Sequence, residues 1–161
     1  MPKKVFLSFR YKDDNWRVQT IKQIGALESE PLLDSNTWEK VKENGEAAVE
    51  RWINEQMADK SCLIVLIGQN TAGRKWVKYE IKHAWENGKG VIGVHVHNLL
   101  DRSQAKSTKG SNPFSTFKVG DKQMADLVKV YDPPYTDSKA VYNYIAENVD
   151  SWVATAISDR K

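Results

Sequence analysis

Ser61-Cys62-Leu63-Ile64-Val65-Leu66-Ile67-Gly68 is the stretch that decides the fold. Its six inner residues are apolar without alternation. A strand with one wet face alternates apolar and polar side chains, so an unbroken apolar run needs cover on both faces, as at the centre of a parallel sheet. On one side of it, Glu46 to Lys60 carries Val49, Trp52, Ile53 and Met57 on a single helical face. On the other, Arg74 to Asn87 turns Val77, Ile81 and Ala84 inward, with Asn70 or Thr71 as its cap and Gly88 at its end. Further out, Lys4 to Phe9 and Gly90 to Val96 read as strands. Asp13-Asp14-Asn15 offers N-caps to a helix whose stripe is Val18, Ile21, Ile24 and Leu27. Leu32-Leu33, after Pro31, suggests a very short strand, and the polar segment Asp34 to Asn44 reads as a loop. Leu127 to Tyr131 suggests a last strand. After Pro133-Pro134, Ser138 to Ile157 forms a last helix with Val141, Tyr144 or Ile145, Val149, Trp152 and Ala156 facing in.

A βα unit repeated about five times predicts a flavodoxin-like, doubly wound α/β fold: a mainly parallel five-stranded sheet with helices on both faces. One domain over residues 1–161 suits the length. Such sheets carry their sites at the carboxyl ends of the strands. Phe9 to Asp14, Gly68 to Arg74 and His97 to Phe114 should gather there. The exception to the regular pattern is Leu100 to Gln123, rich in Ser, Lys, Gly and Thr. An irregular segment of that length in a compact domain is disordered or functional.

Composition excludes several classes. Forty per cent hydrophobic and 28% charged residues describe a globular chain. The net charge of +3 is too small to point to nucleic acid. Arg102 to Lys122 holds five Lys or Arg against Asp121 alone, so the excess is concentrated in the irregular segment. The longest apolar run, Cys62 to Ile67, falls far short of the ~20 residues of a membrane span. Val5-Phe6-Leu7 after Met1-Pro2-Lys3-Lys4 is too short for a signal-peptide core. The single cysteine, Cys62, suits a reducing compartment. The expectation is a cytoplasmic protein without nucleic-acid or membrane partners.

Motif tests remove other doubly wound families. There is no Gly-x-x-x-x-Gly-Lys-Ser/Thr, no Gly-x-Gly-x-x-Gly after the first strand and no Gly-x-Ser-x-Gly. The third strand ends Ile67-Gly68-Gln69-Asn70, without the aspartate a phosphorylated receiver needs. His95 and His97 share one side of a strand, which suits polar strand-end residues better than a chelate, and no metal is expected.

Val5-Phe6-Leu7-Ser8-Phe9-Arg10, with Tyr11 after it, resembles the first strand of TIR domains. Trp76-Val77-x-Tyr79-Glu80-Ile81 is similar to their Trp-containing turn and short helix with its Glu. Leu33-Asp34-Ser35-x-x-Trp38-Glu39, Val65-Leu66-Ile67-Gly68 and Gly110-x-Asn112-Pro113-Phe114 complete a set similar to the TIR-like family that includes the ThsB component of Thoeris anti-phage systems. The resemblance runs from about Lys4 to Phe114. It implies cleavage of the nicotinamide–ribose bond of NAD, here a substrate and not a cofactor, and an ADP-ribose-derived, cyclic signal that diffuses to a downstream effector. It also implies self-association and a phage-protein trigger. By the same resemblance Glu80, Asn112 and Phe6 are catalytic. Phe9, Arg10, Asp34, Trp38 and Trp76 contact the nucleotide. A non-catalytic self-association or adaptor module and a nucleotide receptor are the alternatives.

One carboxylate suffices for that chemistry. Nicotinamide in NAD is a pyridinium cation that departs neutral, so the general acid of ordinary glycoside hydrolysis is not needed. Glu80 would stabilise positive charge at the anomeric carbon and accept ribose hydroxyls. Asn112 would orient ribose or phosphate, and Lys106, Lys109 and Lys118 would favour the diphosphate. The 100–123 segment would close as a lid that excludes water. Taken alone, Glu80 is an ordinary helix residue, Phe6 a core residue, and Asn112 a turn residue before proline.

Overall fold

The computed structural model describes residues 2–30 and 35–160. The central run forms β3 (Cys62–Ile67), and every one of its residues is buried. It lies between β1 (Lys3–Ser8) and the equally buried β4 (Gly90–His95). With β2 (Leu27–Ser29) and β7 (Val130–Tyr131) at the edges, the order is β2-β1-β3-β4-β7 and every pairing is parallel. This is the doubly wound α/β sheet.

The period of two sorts β3 onto both faces. Cys62, Ile64 and Leu66 join Val5 and Leu7 of β1 in one core, with α1 (Tyr11–Lys22) and α6 (Ser138–Asp159). Leu63, Val65 and Ile67 join Phe6 in the other, with α3 (Glu46–Met57) and α4 (Lys75–Glu86). Each fully buried Leu or Ile contributes about 1.5–3 kcal/mol of transfer free energy. The two covered faces account for a strand with no polar residue.

Several local expectations change. The segment read as a loop contains α2 (Ser35–Glu43), of which Trp38 and Val41 pack on the core. Two inward residues three apart are enough to hold a short helix that is otherwise polar. The strand expected at Leu32-Leu33 lies outside the described residues; β2 is Leu27–Ser29. Leu27 therefore belongs to a strand, and Ile24 is buried just beyond α1. Residues 127–131 hold only the two residues of β7, preceded by one helical turn, α5 (Met124–Leu127).

Capping also differs. Arg10 is the N-cap of α1, so Asp13 and Asp14 lie in its first turn, at the positive end of the helix dipole. Arg74 precedes α4 without a side-chain cap, and Thr71 Oγ1 instead accepts the Gly68 N–H at 2.8 Å. At α6 the cap is Asp137, accepting the Ala140 N–H at 3.0 Å.

The irregular segment is anchored. Phe114 is wholly buried beneath Gly93 of β4, where a Cβ on the glycine would come 3.1 Å from its ring. The short strands β5 (Lys118–Val119) and β6 (Lys122–Gln123) form an antiparallel hairpin whose turn uses Gly120 at φ +64°. Among the described residues no helix is long and apolar enough to cross a membrane.

Candidate functional site

The carboxyl ends of β1, β3 and β4 bring three loops together. Asn70 donates to Asp13 at 3.1 Å, joining the loop after β3 to α1. The Thr108 N–H donates to Gln69 at 3.2 Å. A Cβ on Gly110 would fall 2.0 Å from the Gly68 carbonyl, so only glycine lets the long loop lie on the end of β3. Arg17, 2% exposed, donates to Asp14 at 2.7 Å, to the Leu99 carbonyl at 2.7 Å and to the Ala105 carbonyl at 3.0 Å. Burial raises the Asp14 carboxyl above its ordinary range, and Arg17 offsets part of that rise.

Beneath this layer lies an acidic pair. Alternation along β1 puts Ser8 on the α4 side of the sheet, beside Phe6. Glu80 sits one turn beyond Trp76 on the same face of α4. Its carboxyl accepts the Ser8 hydroxyl at 2.6 Å and is only 8% exposed. Burial pushes it up to about 8; the Ser8 hydrogen bond offsets some of this, and the charge of Glu30 adds to it. Glu30 follows β2 directly. Its carboxylate accepts the Leu7 N–H at 3.0 Å, a ladder donor that the end of β2 leaves open. Burial raises Glu30 to about 7, against the Leu7 N–H, Lys22 and Lys60. Burial thus raises both carboxyls, and the charge of Glu30 raises Glu80 further.

A groove of about 690 Å³ opens between the β1–α1 turn, α2 and the start of α4, reaching α4 at Trp76 and Val77. Phe9, Tyr11, Trp38 and Trp76 give it aromatic walls. Its basic side chains are Arg10, Lys12, Lys42, Arg74 and Lys75; Arg10 pairs with Asp13, Lys42 with Glu39 and Lys75 with Glu46, so among the described residues Lys12 and Arg74 are the lining cations outside an ion pair. The size suits a nucleotide-scale ligand, the rings offer stacking and the cations favour an anion.

Of the residues singled out from the sequence, Phe9, Arg10, Trp38 and Trp76 line this groove together. Glu80 is not among the lining residues; it is buried one helical turn along α4 from Trp76, which is. Phe6 is 1% exposed and meets the groove only through aromatic contacts, Phe6 on Trp52 at 6.4 Å and Trp52 on Trp38 at 5.8 Å. Asn112 is not among the lining residues; its side-chain oxygen accepts the Phe114 N–H at 2.8 Å and shapes the turn that buries Phe114. Asp34 lies outside the described residues. Lys109 pairs with Asp132 at 2.9 Å and Lys106 donates to the Thr136 carbonyl, so cations near the groove come from α1, α2 and α4 instead.

Two partners of Glu80 escaped the sequence. Ser8 was visible only as part of a strand, and Glu30 carried no local signal. They meet Glu80 and Leu7 across 72 and 23 residues, which no spacing rule reaches. His95 and His97 pack edge to face at 5.5 Å, and burial lowers both below the usual imidazole range. Among the described residues no group of three or more His, Cys, Asp or Glu is arranged to hold a metal ion.

Comparison with known proteins agrees with this architecture. Residues 6–101 match the family model described as Thoeris protein ThsB, TIR-like domain. A protein of Bacillus cereus (strain MSX-D12) named "Putative cyclic ADP-D-ribose synthase ThsB1" is 34% identical over 119 residues. The match covers 71% of this chain and 62% of that protein, so the chain spans less than two thirds of that relative's length. Parallel sheet, the Glu80 helix and the matched residues lead to one assignment: the chain belongs to the ThsB TIR-like domain family.

Proposed function

We propose that the chain cleaves the nicotinamide–ribose bond of NAD and joins the freed ribose carbon to the adenine of the same molecule, giving a cyclic ADP-ribose signal. The observation that carries this is the buried Glu80 carboxyl, held by Ser8 one turn along α4 from an aromatic, basic groove. Trp38 and Trp76 stack the bases, and the cations of the groove attract the diphosphate. The nicotinamide ribose reaches past Trp76 to Glu80. As the C–N bond breaks, its electron pair goes to the pyridinium nitrogen and nicotinamide leaves neutral. Glu80, ionised once the cationic ring is bound, faces the positive charge that develops on the ribose. An adenine nitrogen then supplies the pair that water supplies in hydrolysis, and the adenine loses a proton. Water exclusion decides between the two.

Support comes from the family match and from the name of the Bacillus cereus relative. The expected course is that the product diffuses to a separate effector and that a phage component triggers synthesis. The test is mass spectrometry of products from NAD, with nicotinamide release followed in wild type and Glu80→Gln. Glutamine keeps the Ser8 hydrogen bond and loses the charge. Release should fall about 10²–10³-fold, the scale for removing one preorganised charge-stabilising group. Unchanged release in a folded Glu80→Gln protein sinks the assignment.

A further inference from the structure

Glu30 has no place in the chemistry above, yet it is 6% exposed and turned into the sheet. A carboxylate at the end of a three-residue edge strand has water within easy reach. Here it takes the Leu7 N–H at 3.0 Å and, more weakly, at 3.4 Å through its second oxygen. The next residue, Ser8, holds Glu80 at 2.6 Å. Two buried carboxyls thus bond adjacent residues of one strand, Glu30 at the Leu7 backbone N–H and Glu80 at the Ser8 hydroxyl. We propose that Glu30 is a positioning residue for the reaction: its negative charge opposes ionisation of Glu80 in the empty site, so that Glu80 becomes a carboxylate only when a ligand with a fixed positive charge, a pyridinium ring, is bound beside it. This rests on the reading of Glu80 as the catalytic carboxyl.

The surroundings of the pair favour that division of labour. Lys22 of α1 donates to the Glu30 carbonyl at 2.5 Å and to Ser29 at 2.6 Å, and its charge with that of Lys60 favours ionised Glu30. Among the described residues, Ser8 and Glu30 are the groups that act on Glu80, and neither is a cation. A charged carboxylate nearby makes ionisation of a second buried carboxyl harder, so that proton leaves at higher pH or when a cation compensates. A cationic nicotinamide ring is such a cation, and its neutral reduced form is not. The device thus selects oxidised dinucleotide by charge.

The ligand-free protein tests the coupling without turnover. Carboxyl ¹³C shifts, assigned through bonds, are followed against pH in wild type and in Glu30→Gln, which still accepts the Leu7 N–H. The Glu80 midpoint should fall by about one pH unit in Glu30→Gln, the low end of the range for loss of a neighbouring like charge. In wild type both signals should inflect at two shared midpoints. The acid limb of kcat/KM should move down with the Glu80 midpoint, giving about tenfold more activity below the wild-type midpoint. A Glu80 signal that titrates in one step, with the same midpoint in both proteins, overturns the inference. If Glu30→Gln does not fold, the wild-type titration decides alone. Failure of the catalytic reading is separate: Glu80→Gln would then keep nicotinamide release, and Glu30 would lose its role in the reaction whatever the titration shows.

Discussion

Glu80 combines three conditions that set its behaviour: burial, a single hydroxyl donor and a neighbouring carboxylate. The first and third favour the protonated form and only the second opposes them, which is why its midpoint reaches about 8. The proposed reaction needs the ionised form. Because kcat/KM reports the free enzyme, it should rise with pH toward a half-maximum near 8. A profile of NAD cleavage between pH 6 and 9.5 checks this, and a flat profile excludes Glu80 as the titrating group. Ser8→Ala removes a hydrogen bond that favours the charge, so the same limb should move to higher pH. That direction is opposite to the effect expected for Glu30→Gln.

At the scale of elements, Arg17 ties α1 to the long loop, and the tie is buried. Arg17→Met strands the Asp14 carboxyl and takes the Arg17 donor from the Leu99 carbonyl, whereas the Ala105 carbonyl keeps the Asp101 N–H at 2.9 Å. Breaking one side of a buried pair costs about 3–5 kcal/mol. Asp14→Asn in the same chain removes the stranded charge, so the double variant should recover part of the loss in urea unfolding; strictly additive losses would show that the pair is not coupled. Elements also mark how far the sequence could be read. β3, β4 and α4 were legible because an unbroken apolar run and the Val77, Ile81, Ala84 stripe each carry their own periodic signal. α2 was not, since Trp38 and Val41 are too few to rise above a polar segment. β2 has three residues, none of them buried, and exists because β1 offers it a partner. Phe9, Arg10, Trp38 and Trp76, which the family pattern names, line one groove, whereas the burial of Glu30 left no trace in the sequence, because its partner is a backbone N–H supplied by the sheet.

Over the whole molecule, the buried carboxyls set the proposed function against stability. A carboxyl whose midpoint is raised by folding helps the folded state while it is protonated. That contribution is complete below the unfolded value of about 4.5 and is lost as pH climbs through about 8. Glu30 behaves in the same way, with its loss ending near 7. The histidines act with the opposite sign: His83, His95 and His97 are lowered by burial, so they cost stability as pH falls below about 6.5. The total curve mixes these effects, and the difference between Glu80→Gln and wild type isolates one of them. Glutamine cannot ionise, so the variant escapes the alkaline loss, a gain with a ceiling of roughly 4–5 kcal/mol at pH 9. At pH 5, where Glu80 is protonated in the fold, the two proteins should differ little. Urea unfolding at pH 5, 7 and 9 should show the variant's advantage growing with pH, in the same protein that has lost nicotinamide release. An advantage equal at all three values would mean that Glu80 keeps its charge state across the range. The buried pair would then be part of the core alone, because a group that does not titrate with folding stores no electrostatic strain for a cationic substrate to relieve.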